Sequence, residues 1–137
     1  MNIIYKINVV PETEELVKLY SNVGWYNYIQ DIKKLERAFI NSTIVITAWD
    51  EDKLVGLLRA VGDSETIMYI QDVLVLYIYQ HKGVGRQLMA KFMNKYENIR
   101  QKALITDKTL KTMSFYKSCG FVPTETYDGI AYINHKF

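Results

Sequence analysis

The sequence predicts one α/β domain, and three observations carry that reading. Helical three-to-four spacing and strand-like alternation of apolar residues take turns along the chain, the pattern of helices layered on a sheet. The run "TIMYIQDVLVLYIY" at 66–79 is apolar on both faces for much of its length, which suits a central strand covered on two sides. A chain of 137 residues, 49% hydrophobic and 23% charged, has the size and composition of a single compact unit over 1–137.

Residues 3–9, "IIYKINV", read as a strand. Pro11, with Glu12, Glu14 and Glu15 near the positive end of the dipole, then starts a helix with Leu16, Leu19, Tyr20 and Val23 on its apolar face, ended by Gly24. Past the aromatic loop "GWYNY", Asp31 caps a second helix carrying Ile32, Leu35, Ala38 and Phe39, stopped by Asn41 and Ser42. "STIVITAW" and "KLVGLLRAV" flank the charged turn "DEDK", an antiparallel hairpin that "GDSE" joins to the central strand. After two glycines, Val84, Leu88, Met89, Phe92, Met93 and Tyr96 define a helix of about four turns. "KALIT" is a short strand, "TLKTMSFYKSCG" a last helix capped by Gly120, and "FVPTETY" with "GIAYINHKF" two closing strands. The expectation is a mixed sheet of about six or seven strands with about four helices.

Several function classes fall away. The single Cys119 allows no internal disulfide and, with only two histidines, no metal cluster, so no metal is expected. No apolar run is long enough to cross a bilayer and no leader pattern opens the chain, so a cytoplasmic setting without membrane contact is expected. Residues 1–79 hold 7 Lys/Arg against 11 Asp/Glu, and residues 80–137 hold 10 against 4. A basic second half suits a bound anion, and solvated faces account for the asymmetry equally well. The basic residues lie at helical spacing with no nucleic-acid motif, so no nucleic-acid partner is expected.

The candidate chemistry lies in "YQHKGVGRQLMAKF", residues 79–92. A helix start leaves N–H groups without intrahelical partners and carries partial positive charge. Gly83 and Gly85 strip away Cβ atoms that would block a ligand, so amides from Gln80, His81, Lys82, Gly83, Val84, Gly85 and Arg86 can converge on a pyrophosphate. No GK[ST] follows, which excludes the nucleotide-triphosphatase loop. Dinucleotide binding has some support, since Asp107 follows the next strand. However, Leu88 stands where the fingerprint wants a third glycine, and too little chain follows for a doubly wound sheet. Two glycines alone also suit a plain tight turn.

Taken together, the motifs resemble the GCN5-related N-acetyltransferase family. "Q80-H-K-G83-V-G85" matches its Q/R-x-x-G-x-G/A signature, after the strand "IQDVLV" and before a helix, and "F115-Y116-K-S-C-G120-F121" is similar to its F-Y-x-x-x-G-F segment. The order of elements corresponds over essentially the whole chain. "GW", "AFINS", "LVGLLRAVGD" and "IQDVLV" resemble the small bacterial branch and the related plastid arylalkylamine (serotonin-type) acetyltransferases. The family often has a proline near position 77, where this chain has Tyr77.

The resemblance implies a splayed central strand pair and direct transfer of an acetyl group from acetyl-CoA, the co-substrate, to a primary amine. It implies pantetheine on the backbone of Val73, Leu74 and Val75, pyrophosphate on the loop from Gln80 to Arg86, and Tyr116 as general acid to the departing thiolate. A phenol, ordinarily titrating near ~10, is close enough to a thiol near ~8.5 for that donation. As one of 11 tyrosines, Tyr116 also has a packing reading. Strict alternation along the central strand puts Tyr69 and Gln71 on one face and Ile70 and Asp72 on the other, so one pair alone faces the acceptor. Asp72, the strand's only acidic residue, is a candidate base or a structural hydrogen-bond acceptor. Trp25, Tyr26 and Tyr28 can stack on an aryl or cationic amine, or form a packed lid. Cys119 reads as a small buried residue, and His81 and His135 have no partner motif. Exposed C-terminal strand edges admit a homodimer. A non-catalytic acyl-CoA-binding module on the same fold is the alternative, and a dinucleotide-binding protein a more distant one.

Overall fold

The computed structural model describes residues 1–136, which divide into two compact units, Met1–Ile105 and the residues from Thr106 on. The first unit holds β1 (Ile3–Ile7), α1 (Thr13–Asn22), α2 (Ile32–Ile40), β2 (Ile44–Asp50), β3 (Lys53–Gly62), β4 (Ile67–Val75), α3 (Val84–Lys95) and β5 (Gln101–Leu104). Short 3-10 turns lie at Tyr26–Ile29 and Tyr77–Tyr79. The second unit holds α4 (Leu110–Ser118) and a 3-10 turn at Thr124–Tyr127.

The sheet runs β1-β2-β3-β4-β5, antiparallel except for the β4–β5 pair. β3 is the middle strand and is buried continuously from Leu54 to Ala60. Its two faces carry different helices. Arg59 reaches Phe39 of α2, its guanidinium 5.5 Å from the ring centre, whereas a Cβ on Gly56 would lie 3.2 Å from Val84 and 3.4 Å from Leu88 of α3. The core of this unit is Leu16, Leu19 and Tyr20 of α1, Leu35 and Phe39 of α2, the strand interiors, and Val84, Leu88, Met89 and Phe92 of α3. Each large aliphatic or aromatic side chain so buried contributes about 1.5–3 kcal/mol.

The caps expected at Asp31 and Gly120 form, and Thr109 adds an N-cap to α4. The Asp31 carboxylate accepts from the Lys34 N–H at 3.1 Å, and the Thr109 hydroxyl accepts from the Thr112 N–H at 3.2 Å. Gly120, at φ 96°, ends α4 in the left-handed conformation, and the Phe121 N–H returns to the Tyr116 carbonyl at 3.0 Å.

The two closing strands do not form, which corrects the expected count of six or seven to five among the described residues. Pro123 has no N–H to give a ladder, and the chain behind it coils into a 3-10 turn through Thr126 N–H to Pro123 O at 3.0 Å and Gly129 N–H to Thr124 O at 3.1 Å. Asp128 at φ 59° completes the turn. Residues 130–136 have no regular structure, and Phe137 lies outside the described residues. The edges of the sheet are therefore β1 and β5, and the C-terminal strand edges expected to pair with a second copy are not present as strands.

Candidate active site

β4 is paired to β5 over four residues only, from Ile67↔Gln101 to Ile70↔Leu104. Beyond Ile70 the two strands part, which is the expected splay. Alternation then decides which backbone groups face the unpaired edge. The Leu76 N–H donates to Val55 O at 2.9 Å, so Leu76 and Leu74 point toward β3, while Val73 and Val75 turn N–H and C=O the other way. Of the three residues expected to present backbone there, Leu74 points toward β3.

The strand leads directly into the glycine loop, which is held from several sides. Gln80 Nε2 donates to the Val75 carbonyl at 3.0 Å, tying the loop back to the strand end. The Tyr77 N–H donates to Asn22 Oδ1 of α1 at 2.7 Å, a bond that a proline at this position could not make. The Tyr79 hydroxyl donates to Asp50 Oδ2 at 2.5 Å. His81 at φ 62° and Gly83 at φ 87° are both left-handed, and Gly83 is the N-cap of α3. A Cβ on Gly83 would meet nothing within 4 Å, so glycine serves the backbone angle and the approach of a ligand rather than internal packing. The first intrahelical return bond is Gln87 N–H to Gly83 O at 3.0 Å, so the amides of Val84 and Gly85 have no intrahelical acceptor. His81, Lys82 and Arg86 are exposed around them. These residues fit a pyrophosphate with its adjoining extended chain: converging amides for the anion, cationic side chains at the rim, and an unpaired strand edge for an amide-bearing arm.

The other side of β4 is built from side chains, and a β-bulge organises it. Arg59 opposes Asp72 and Ala60 opposes Ile70, which leaves Gln71 as an extra residue. Strict alternation therefore breaks at this point. Gln71 and Asp72 reach the same aromatic group: Gln71 Nε2 donates to the Tyr28 hydroxyl at 2.8 Å, and the Tyr20 hydroxyl donates to Asp72 Oδ2 at 2.8 Å. Tyr69 lies close enough for Asp72, after burial, to raise its pKa. The expectation that only one of two pairs faces this side is corrected, because the bulge puts Tyr69, Gln71 and Asp72 there together. The rings of Tyr20 and Tyr28 are 5.0 Å apart, and Trp25 stacks on Tyr28 at 5.9 Å and 25°. Tyr26 is 58% exposed and outside this stack.

Asp72 is 1% exposed. Its Oδ2 also accepts from Arg59 Nε at 2.9 Å, while its Oδ1 has no hydrogen-bond partner. Burial works to discharge the Arg59 guanidinium, but the charge and hydrogen bond of Asp72 outweigh it, and the Arg59 pKa stands above its ordinary value. Burial, then Asp72, raises the Tyr20 phenol far above its usual range, so it stays a neutral donor. Sequence reasoning missed Tyr20 and Arg59 as parts of this group. Their signal was faint: a tyrosine on an apolar helix face, and an arginine inside the apolar run "LVGLLRAV". It also missed Gly56, whose missing side chain lets α3 close on β3, legible only as a glycine inside a strand.

In the second unit, Tyr116 sits half-buried on α4 with its ring 5.1 Å from Phe115 and 6.3 Å from Phe121, both edge-on. Cys119 is a free, half-buried thiol at the end of α4. His135 lies in the irregular C-terminal stretch. No group of His, Cys, Asp or Glu among the described residues could hold a metal ion, and no described helix is long and apolar enough to cross a membrane.

The fold as a whole recurs in known proteins. The family model described as "Acetyltransferase (GNAT) domain" matches residues 9–135, and the chain belongs to that family. An uncharacterised N-acetyltransferase, ycf52, of Gracilaria tenuistipitata var. liui is 30% identical over 128 residues, 89% of this chain and 68% of the relative. A ycf52-like protein of Prochlorococcus marinus is 31% identical over 113 residues, 78% of this chain, which spans 61% of that relative's length. Among solved structures, a GNAT-family acetyltransferase of Streptococcus pneumoniae TIGR4 is 35% identical with a TM-score of 0.84, covering 98% of this chain and 100% of that one. AAC(6')-Iy in complex with a CoA-containing bisubstrate analogue is 15% identical with a TM-score of 0.73 over 100% of both chains, and shows the fold alone.

Proposed function

We propose that the protein is an acetyl-CoA-dependent N-acetyltransferase that passes the acetyl group directly to a primary amine in a ternary complex. One observation supports this above the others: the β4–β5 ladder stops at Ile70, and the unpaired β4 backbone runs into a loop whose amides open at the start of α3. Val73 and Val75 pair the pantetheine arm as a neighbouring strand would, and the amides from Gly83 to Arg86 hold the pyrophosphate, with Lys82 at the rim. The AAC(6')-Iy complex, on the same fold, carries a CoA moiety, which agrees with this use of the fold.

A thioester is already activated, so the chain's part is to align, polarise and protonate. Its residues do so without cleaving the phosphates, which is why the loop has no triphosphatase lysine. Tyr116, from the F-Y-x-x-x-G-F segment, gives its proton to the departing thiolate, and the exposed Trp25 and Tyr26 with Tyr69 and Gln71 border the acceptor. The amine is a small molecule or a protein group, and the setting is cytoplasmic.

Melting the protein with acetyl-CoA, NAD, NADP or ATP tests the cofactor, since a ligand of the native state raises the melting temperature. Acetyl-CoA is expected to raise it, and a rise with NAD alone would overturn the reading. Thiol release across an amine panel tests the chemistry. Acetyl-CoA binding with no release for any amine would make the chain an acyl-CoA-binding module instead.

A further inference from the structure

We propose that Asn22, at the end of α1, is a positioning residue for acetyl-CoA: through the backbone N–H of Tyr77 it holds in place the turn that delivers the glycine loop. This rests on the acetyltransferase reading. Between the open edge of β4 and the loop stands the 3-10 turn Tyr77–Tyr79, and none of its side chains is buried. Tyr77 is 73% exposed and Ile78 64%. A turn with so little apolar packing depends on its hydrogen bonds for its place.

Two of those bonds are local, Tyr79 N–H to Leu76 O at 2.8 Å and Gln80 N–H to Tyr77 O at 3.2 Å, and they shape the turn without locating it. Side chains from other elements locate it. Asn22 Oδ1 accepts from the Tyr77 N–H at 2.7 Å where the turn begins, and Asp50 Oδ2 accepts from the Tyr79 hydroxyl where it ends. The second bond needs a tyrosine side chain, whereas the first needs only an N–H, so the exposed Tyr77 ring has no part in it. A proline would stiffen the turn through its ring and offer no donor; Tyr77 leaves the backbone freer, and its N–H is tied to α1 instead.

Asn22 stands on a fixed support. It is the last residue of α1, whose Leu16, Leu19 and Tyr20 are all within 1% of full burial, and the Tyr20 hydroxyl is itself bonded to Asp72. Without the Asn22 bond, the turn and the loop behind it sample other placements, and only the fraction in the native one takes the cofactor. The apparent dissociation constant rises by the inverse of that fraction. The net worth of one hydrogen bond puts the change at roughly twofold to tenfold.

Calorimetric titration of acetyl-CoA into wild type, Asn22→Ala, Tyr77→Pro and the double variant tests this. Proline suits the position, which opens its turn and follows Leu76 at ψ 139°, the extended backbone that a residue before proline adopts. The expected result is an affinity roughly twofold to tenfold lower in Asn22→Ala than in wild type, and no such loss when Asn22→Ala is added to Tyr77→Pro, which has no N–H to hold. A general weakening at the end of α1 would cost the same factor in both backgrounds. That result, or an Asn22→Ala affinity equal to wild type, overturns the proposal. Should Tyr77→Pro melt too low or bind too weakly to compare, Asn22→Asp decides. It keeps an oxygen for the Tyr77 N–H and should recover most of the affinity that alanine loses, measured at physiological salt, where distant exposed charges are screened. Binding as weak as that of Asn22→Ala overturns the proposal. A wild type that binds no acetyl-CoA would instead overturn the acetyltransferase reading, and the proposal with it.

Discussion

The two sides of β4 are built by different means. Toward the unpaired edge and the glycine loop, the groups on offer are backbone: Val73 and Val75, then the amides after Gly83. Toward α1 and the aromatic turn they are side chains, with Gln71 on Tyr28 and a buried Arg59–Asp72–Tyr20 set below. A backbone site depends on conformation and tolerates many side chains, so it leaves a short glycine signature. A side-chain site depends on identity and partners, so it varies and leaves none. The first side accordingly shows in the sequence as a motif, and the second only once the chain is folded.

The largest expected effect falls on the side-chain half. Arg59→Ala strands the Asp72 carboxylate in the interior and should cost about 3–5 kcal/mol of stability, read as a lower urea midpoint. A loss under about 1 kcal/mol would mean that the carboxylate is relieved by solvent, and the contrast between the halves would blur.

Next comes Tyr116→Phe, which keeps the ring contacts with Phe115 and Phe121 and removes the hydroxyl. Turnover should fall about 10²-fold with the KM for acetyl-CoA little changed. An unaltered rate across pH would leave the acid role without support. Gly83→Val asks the backbone half the same question. A β-branched residue at φ 87° costs about 1–2 kcal/mol, with no internal clash to add, so acetyl-CoA affinity should drop roughly tenfold while the urea midpoint moves modestly. Unchanged affinity would show that the loop adopts another conformation.

The smallest effect concerns Asp63 in the β3–β4 turn, the counterpart of Asp72 at the other end of the strand. Its carboxylate is exposed and accepts from the N–H groups of Glu65, Thr66 and Ile67 and from the Thr66 hydroxyl, which lower its pKa strongly, the Ile67 bond most. A depressed pKa adds stability that is whole above the ordinary Asp value near ~3.9 and drains away as pH falls below it. Asp63→Asn should therefore lower the melting temperature slightly at pH 5–8, with the difference shrinking below about pH 4. A difference that grew in acid would reverse the sign and sink the assignment.

Much of the fold was legible because its signals are local. Asp31 caps a helix, Gly120 ends one, and the double-sided apolar run of β4 marks an interior strand of the sheet. The closing strands were misread since β-propensity in "FVPTETY" could not register that Pro123 and the bonds around Thr124–Tyr127 favour a coil. Strict alternation along β4 failed for a related reason. A bulge is set by how β3 pairs with β4, and nothing in "YIQDV" announces that Gln71 will be the extra residue.

By itself, then, the sequence determined the order of elements from β1 to α4, the glycine loop before α3 and the family to which the chain belongs, because periodicity, caps and backbone-permissive residues act over a few positions. Tertiary structure alone decided that β4 leaves β5 after Ile70, that Val73 and Val75 rather than Leu74 turn to the open edge, and that Asp72 meets Tyr20 and Arg59. Those facts depend on strand pairing and on contacts between residues 13 and 52 positions apart, distances over which no local pattern reaches.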